Sequence, residues 1–245
     1  MMLEMGFKET LSDILKAIPA RQTMLFSATL KQSIHSLAML SLQSPERIFL
    51  HSKESVGTAD AANIYETPLK LSQYYMVVDH HSKINTLYSF LKEHPKQKTL
   101  VFLSTCKQVR FVYEGMRTFK LGCPIYELQG RQQQKKRMAI FYTFCEKEFG
   151  VLFCTNIASR GLDFPQVDWV IQVDVPEDVE TYVHRVGRTA RFKKEGRSLL
   201  FVDPSESKFI DILSDKKIKI TKINQNPQKL YSVTGSLQTR CIENP

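Results

Sequence analysis

Between positions 184 and 191 the chain gathers one imidazole and three guanidinium groups, His184, Arg185, Arg188 and Arg191, around Gly187. A guanidinium keeps its charge at any physiological pH and presents a planar fork of donors that matches phosphate oxygens. On a helix Arg185 and Arg188 would fall one turn apart, and His184 and Arg188 would share a face at i and i+4. Gly187 would let the backbone approach a ligand closely. Such a group can neutralise the charge that builds on a transferring phosphoryl group, a role in which one positioned arginine contributes roughly 10³ to 10⁵ in rate. A solvated basic helix end uses the same residue types, so the spacing alone leaves both readings open.

The stretches around this segment decide between them. Residues 19–29 end in Ser27-Ala28-Thr29 after a short apolar run, and Val101-Phe102-Leu103-Ser104-Thr105 is an apolar strand closed by two hydroxyls. Leu128-Gln129-Gly130 is followed by Gln134 and Arg137, and Cys154-Thr155-Asn156-Ile157-Ala158-Ser159 leads into Arg160-Gly161-Leu162-Asp163. In this order and over about residues 1–230, these pieces resemble the second half of the DEAD-box RNA helicases.

The resemblance implies a role for each position. Arg188 and Arg191 match the two arginine fingers of the family, Asp163 the carboxylate that accepts from the nucleotide ribose, and Gly161 a backbone contact near the phosphates. His184 and Arg185 match bridging residues, the histidine reaching toward Ser27 and Thr29 and so coupling nucleotide state to domain closure. Ser104, Thr105, Gly130, Gln134, Arg137 and Thr155 match positions that contact RNA. Contacts of this kind go to the sugar-phosphate backbone, so short polar side chains and amides suffice and no base is read. Gln134 and Arg137, at i and i+3, would point one way from a helix start, where amides also favour a phosphate. For Ser104 and Thr105 a helix N-cap is an equal reading, and the two roles can coexist. Three positions depart from the pattern: Asn156 where relatives usually carry Asp, Gln129 where many carry His, and Ala190 where many carry Gly.

Two expected parts are missing. The family needs a glycine-rich loop with a lysine for the β and γ phosphates, and acidic residues for magnesium. The sequence contains no Gly-Lys and no Asp-Glu dipeptide. Residues 1–7 resemble the stretch directly C-terminal to the acidic box in relatives, so the chain is expected to be a fragment that begins just after that box. Arginines act only on a nucleotide held in line with its water and metal. ATP with magnesium is therefore the implied cofactor, the magnesium ligands lie outside this chain, and the chain alone is expected not to hydrolyse ATP. Residues 104–111 and 130–134 look most like a nucleolar, ribosome-biogenesis subgroup, which implies a nucleolar location, pre-ribosomal partners and a missing first helicase domain as a further partner.

Composition is consistent with this. Of 245 residues, 34 are Lys or Arg and 25 Asp or Glu, a formal charge of +9 that suits a polyanion. The 42% apolar content is that of a globular protein. Cys106, Cys123, Cys145, Cys154 and Cys241 are odd in number and contain no Cys-x-x-Cys, which speaks against a disulfide framework or a zinc site and for a reducing compartment. His80-His81 reads as a polar turn before a helix. No apolar run approaches the roughly 20 residues that cross a bilayer, so no membrane partner is expected.

The elements that must hold these motifs follow from periodicity. Residues 1–52 read as helix (9–17), strand (22–27), helix and strand (47–50), an incomplete remnant of a first RecA-like domain that should expose an apolar face. Residues 53–70 are small and polar and read as a linker. From 71 to 221, apolar runs at 74–78, 99–103, 125–128, 151–154, 169–173 and 198–202 alternate with amphipathic stretches. That alternation predicts an α/β fold, a RecA-like parallel sheet with helices on both faces, whose ligands gather beyond the carboxyl ends of the strands. A last edge strand is expected near 217–221, and 222–245 reads as a polar extension directed outward. Two other functions remain open: a non-catalytic RNA- or partner-binding module, and a DNA helicase or remodeller, which Ser27-Ala28-Thr29 and Thr189-Ala190-Arg191 disfavour.

Overall fold

The computed structural model describes residues 8–19, 21–26, 67–68, 70–159, 164–165, 167–190 and 194–243, with positions 42, 44, 46 and 48. The chain divides into two units, Met1–Ile64 and Tyr65–Pro245. In the first, helix α1 (Lys8–Ala17) forms as the periodicity predicts, and Arg21 caps its end by donating to the Leu15, Ile18 and Pro19 carbonyls. The strand expected over 22–27 is not formed in its described part, 22–26. A strand exists only where a neighbour takes its backbone hydrogen bonds, and no described residue of this unit does. The expected exposed apolar face is present: Met24 is 69% and Phe26 86% exposed. Most of 47–50 and of the linker 53–70 lies outside the described residues.

The second unit carries one seven-stranded sheet, β1 (Leu71–Val77), β2 (Lys98–Phe102), β3 (Ile125–Leu128), β4 (Gly150–Cys154), β5 (Trp169–Gln172), β6 (Gly196–Val202) and β7 (Thr221–Lys222), in the order β3-β4-β2-β5-β6-β1-β7. Every pairing is parallel. Six of the strands stand where the apolar runs predicted them, within three residues. The edge strand β7 is two residues long. Helices α2 (Lys83–Glu93), α3 (Cys106–Thr118), α4 (Gln134–Glu146), α5 (Val179–Val186) and α6 (Lys208–Asp215) connect the strands.

Alternation along the strands builds a core on each face. Val101, Leu103, Val151, Phe153 and Ile171 pack with Leu87 and Leu91 of α2 and Val109, Val112 and Met116 of α3. Leu100, Phe102, Leu152, Cys154 and Val170 turn the other way, against Phe144 of α4. Leu200 and Val202 extend that second face toward Tyr182 of α5 and Leu213 of α6. β2 and β4 are buried at every position, as parallel strands covered on both sides must be. Lys98, 3% exposed, enters this core because its ammonium donates to the Cys145 and Lys147 carbonyls at the end of α4. Burial lowers its pKa from the usual 10.5.

The polar segment 222–245 does not extend outward as its composition suggests. Helix α7 (Thr234–Glu243) folds back onto the sheet's first face, with Val233 and Leu237 in the core cluster. Asn85 Oδ1 accepts from the Val233 amide and the Thr234 hydroxyl, Ser89 Oγ accepts from the Tyr231 amide, and Lys229 pairs with Glu93 at 2.6 Å. Leu237 lies where a Cβ on Gly115 would come within 2.6 Å, so the missing side chain there makes its seat. Two well-placed apolar residues and four polar contacts outweigh a hydrophilic composition. Among the described residues no helix is long and apolar enough to cross a membrane, and no group of three or more His, Cys, Asp or Glu could hold a metal.

Candidate functional site

The parallel register brings the ends of β3, β4 and β2 side by side. Leu128 and Phe102 both stand opposite Cys154. The residues just beyond each strand therefore open onto one edge: Ser104 and Thr105 after β2, Gly130 after β3, Thr155 and Asn156 after β4. Backbone bonds tie these loops together, from the Leu103 amide to the Cys154 carbonyl at 2.9 Å and from the Thr155 amide to the Leu128 carbonyl at 3.3 Å.

Each polar group on this edge can be placed. Thr105 is the N-cap of α3 in a reciprocal box: its hydroxyl accepts from the Gln108 amide, and its own amide donates to Gln108 Oε1. A threonine hydroxyl holds one donor and two acceptor positions, so the cap leaves its proton able to meet a phosphate oxygen. Ser104 is exposed, with its amide fixed by Asp174 Oδ2 at 3.0 Å. Gly130 is exposed, and a Cβ there would meet nothing within 4 Å, so packing within the lobe does not require glycine. It leaves the backbone open to close approach. Gln134 and Arg137 lie in the first turn of α4, and Arg137 Nη2 donates to Gln134 Oε1. The sequence singled out Gln129, and the structure explains its burial: its amide donates to Gln132 Oε1 and its side chain to Glu127.

Helix α5 delivers the cationic segment. Asp178 caps its start by accepting from the Thr181 amide, and Gly187, its C-cap, donates to the Val183 carbonyl. A Cβ on Gly187 would come 3.1 Å from that carbonyl, which is the close approach this turn needs. The helix ends at Val186, so Arg188 belongs to the next turn, where its Nε donates to the His184 carbonyl at 3.2 Å. Arg188 is partly exposed, and His184 Nδ1 stands 3.8 Å from Glu180 Oε1.

Arg185 does not join Arg188. It is 2% exposed and points into the domain, its Nε donating to Asn156 Oδ1 at 2.9 Å and its Nη1 to Gln172 Oε1 and the Asp174 carbonyl at 3.2 and 3.1 Å. The ring of Phe102 lies 5.4 Å from its guanidinium carbon. Burial lowers its pKa, with Asp174, Glu177 and Asp178 among the groups that oppose the shift. A side chain so enclosed cannot touch a phosphoryl group. Arg185, which the sequence groups with the cations suited to a phosphoryl group, is corrected to a positioning residue within the lobe. Arg191, Gly161, Asp163, Ser27 and Thr29 lie outside the described residues.

Asp174 is the link between these elements that sequence reasoning missed. Its carboxylate receives the Ser104 amide, Gln108 Nε2 at 3.3 Å and, at 3.7 Å, the buried Lys83 ammonium, while its carbonyl receives Arg185. It joins the hydroxyl-bearing loop after β2 to the helix that carries His184 and Arg188. A carboxylate two residues beyond the end of a buried parallel strand was the available signal. Asn156 takes part as an acceptor, and as a neutral amide it leaves the Arg185 charge unmatched at that point. Ala190 adopts φ +57°, the left-handed region in which glycine is favoured.

Known proteins share this arrangement of strands and motifs. Residues 82–193 match the helicase conserved C-terminal domain. ATP-dependent RNA helicase dbp4 of Aspergillus niger is 46% identical over 245 residues, covering 99% of this chain and 29% of that protein. Its counterpart in Schizosaccharomyces pombe is 46% identical over 242 residues, 98% of this chain and 32% of that protein. The chain thus spans about three tenths of these relatives. Among solved structures, Mss116p bound to single-stranded RNA and AMP-PNP superposes with a TM-score of 0.79 at 29% identity, over 99% of this chain and 48% of that one. Saccharomyces cerevisiae Dbp5 bound to RNA and ADP BeF3 shares the fold, with a TM-score of 0.74 at 22% identity, over 98% of this chain and 60% of that one. Relatives that align along nearly the whole chain, a matching domain and a matching sheet agree with the motif order read from residues 19 to 191: the chain belongs to the DEAD-box RNA helicases.

Proposed function

We propose that this chain supplies the second lobe of an ATP-dependent RNA helicase: it grips the backbone of an RNA strand and completes, with Arg188 and Arg191, a triphosphate pocket whose other walls are on a first lobe. The observation that carries this reading is the single edge onto which Ser104, Thr105, Gly130 and Thr155 open, joined through Asp174 to the helix that bears His184 and Arg188. Hydroxyls, an open glycine amide and the Gln134–Arg137 pair at a helix start would take phosphate oxygens and 2′-hydroxyls, groups that carry no sequence information. Gly161 and Asp163 are assigned to the nucleotide backbone contact and the ribose, and Ser27 and Thr29 to interlobe coupling.

ATP is the proposed nucleotide. The described residues provide no carboxylate cluster for magnesium. Arg188 would stabilise charge on the transferring phosphoryl group only when both lobes close on nucleotide and RNA. The chain alone, which lacks a Gly-Lys phosphate loop and an Asp-Glu box, should bind RNA and hydrolyse nothing. Mixing it with a first helicase lobe should restore RNA-stimulated phosphate release, and Arg188→Ala should lower that rate by about 10³ or more while leaving RNA affinity within a few-fold. Turnover by the 245-residue chain alone, or full activity of the variant, would overturn the assignment. We further propose, from residues 104–111 and 130–134, a role in pre-ribosomal RNA processing in the nucleolus, tested by imaging a tagged chain and crosslinking it to precursor RNA.

A further inference from the structure

Beside the proposed RNA edge the lobe has a groove of about 530 Å3 to which the proposed function gives no task. Lys107, Arg110 and Phe111 on one face of α3 form one wall, and Arg131 and Lys136, before and within the first turn of α4, the other. Its floor is Glu127, whose side chain is 7% exposed and already held by Arg110 at 3.7 Å, Gln132 Nε2 at 3.3 Å and Gln129 Nε2 at 3.5 Å. A carboxylate so engaged fixes the floor and does not repel an anion strongly. Arg110 also pairs with Glu114 at 3.2 Å, so its charge is largely spent within the lobe. Lys107, Arg131 and Lys136 are exposed cations at the rim, and Phe111, one helical turn from Lys107, is 44% exposed.

An exposed aromatic face among rim cations suits a single-stranded nucleic acid, whose bases stack on the ring while its phosphates take the charges. An acidic peptide would satisfy the cations but gain little from a flat ring. Continuity also favours RNA. Cys106 in the groove comes directly after Thr105, and Arg131 directly after Gly130, so a strand held at those two residues passes the groove mouth. We propose that the groove is a second RNA subsite, in which a nucleotide at one end of the bound strand stacks on Phe111 with its phosphates on Lys107, Arg131 and Lys136. The inference rests on the proposed RNA-binding function, and it lengthens the footprint of this lobe beyond the backbone-contacting edge.

The test is anisotropy of the 245-residue chain with oligouridylates from about 4 to about 16 nucleotides long. Phe111→Ala should leave the shortest oligomers bound as before and weaken the longer ones by roughly 5- to 100-fold. Lys107→Ala with Arg131→Ala should reduce the slope of log Kd against log salt by about 1.4 for the longer oligomers only. A 2-aminopurine at the strand end should be quenched by the native chain and not by Phe111→Ala. Equal weakening at every length, no weakening, or tighter binding of polyglutamate than of RNA would overturn the subsite. Thr105→Ala and Arg137→Ala should weaken every length. If they do while Phe111→Ala changes nothing, the subsite alone fails, whereas a chain that binds no RNA at any length defeats both readings.

Discussion

Replacing Arg185 with methionine should destabilise the second unit although it keeps much of the unbranched apolar stem. The substitution withdraws donors from three acceptors. Asn156 is exposed and can turn to water, whereas Gln172, at 0% exposure, cannot, and the carbonyl of the half-buried Asp174 is shielded only in part. A stranded buried acceptor costs about 1–3 kcal/mol, so the two together cost at most about 2–6 kcal/mol. Against this stand relief of the cation's own desolvation and packing of the thioether on Phe102, together about 1–2 kcal/mol. The net loss spans about 0–5 kcal/mol and centres near about 2.5 kcal/mol, which for a unit of this size lowers Tm by about 5–10 °C. The converse change, Asn156→Asp, gives the guanidinium a carboxylate at an exposed position and should gain about 0.5–2 kcal/mol. Thermal and urea unfolding of the two single variants and the double variant measure the coupling, expected to be about 1–2 kcal/mol. Strict additivity, or a Tm for Arg185→Met within about 2 °C of the native value, would refute the claim that this cation holds the helix end in place.

Ala190→Gly should raise stability by about 0.5–1 kcal/mol, because the left-handed conformation costs an L-residue about 1–2 kcal/mol and glycine returns part of that as chain entropy; a lower urea midpoint would count against the assigned backbone. The seat of the C-terminal segment should depend on pH only at the extremes. The Lys229 hydrogen bond holds the Glu93 carboxyl below its ordinary 4.5, so that contribution is complete above pH 4.5 and disappears as pH falls through the folded value. Glu93 in turn raises Lys229 above 10.5, so its contribution is complete below pH 10.5 and disappears as pH rises through the folded value. Amide exchange at Tyr231 and Val233 should therefore be protected equally from pH 5 to pH 10 after correction for intrinsic rates, and Glu93→Gln should abolish the change at acid pH; loss of protection near neutrality would contradict the pairing.

The sheet was legible because strands buried on both faces read as unbroken apolar runs, and the six longer strands stand within three residues of those runs. The edge strand and the 22–26 segment mark the limit, since pairing depends on a neighbour that composition does not reveal. Residue spacing holds more about Arg185 than its distance from Arg188. Val179, Tyr182 and Val186 form the inner stripe of α5, and Arg185 lies on that stripe next to Val186, so its burial was implicit in the periodicity that placed it one turn from Arg188. The docking of 227–243 was not legible. Its anchors, Asn85, Ser89 and Glu93, lie more than a hundred residues away and are ordinary surface types on an amphipathic helix.

The partners of Arg185 bear on how the lobe works. An arginine buried against a carboxylate would be locked by charge, at a high desolvation cost to both groups. Here the direct acceptors are two side-chain amides and a main-chain carbonyl, with Asp174 contributing its carbonyl to Arg185 and its carboxylate to Ser104, Gln108 and Lys83. One residue thus carries the loop that would meet RNA on one side and the helix end that would meet triphosphate on the other. No hinge is needed between them. A shift of the Ser104 loop would be transmitted to Arg185 through a single aspartate and from there to the turn holding Arg188, so within this lobe the two sites would be coupled by rigidity and would move as one body when the lobes close.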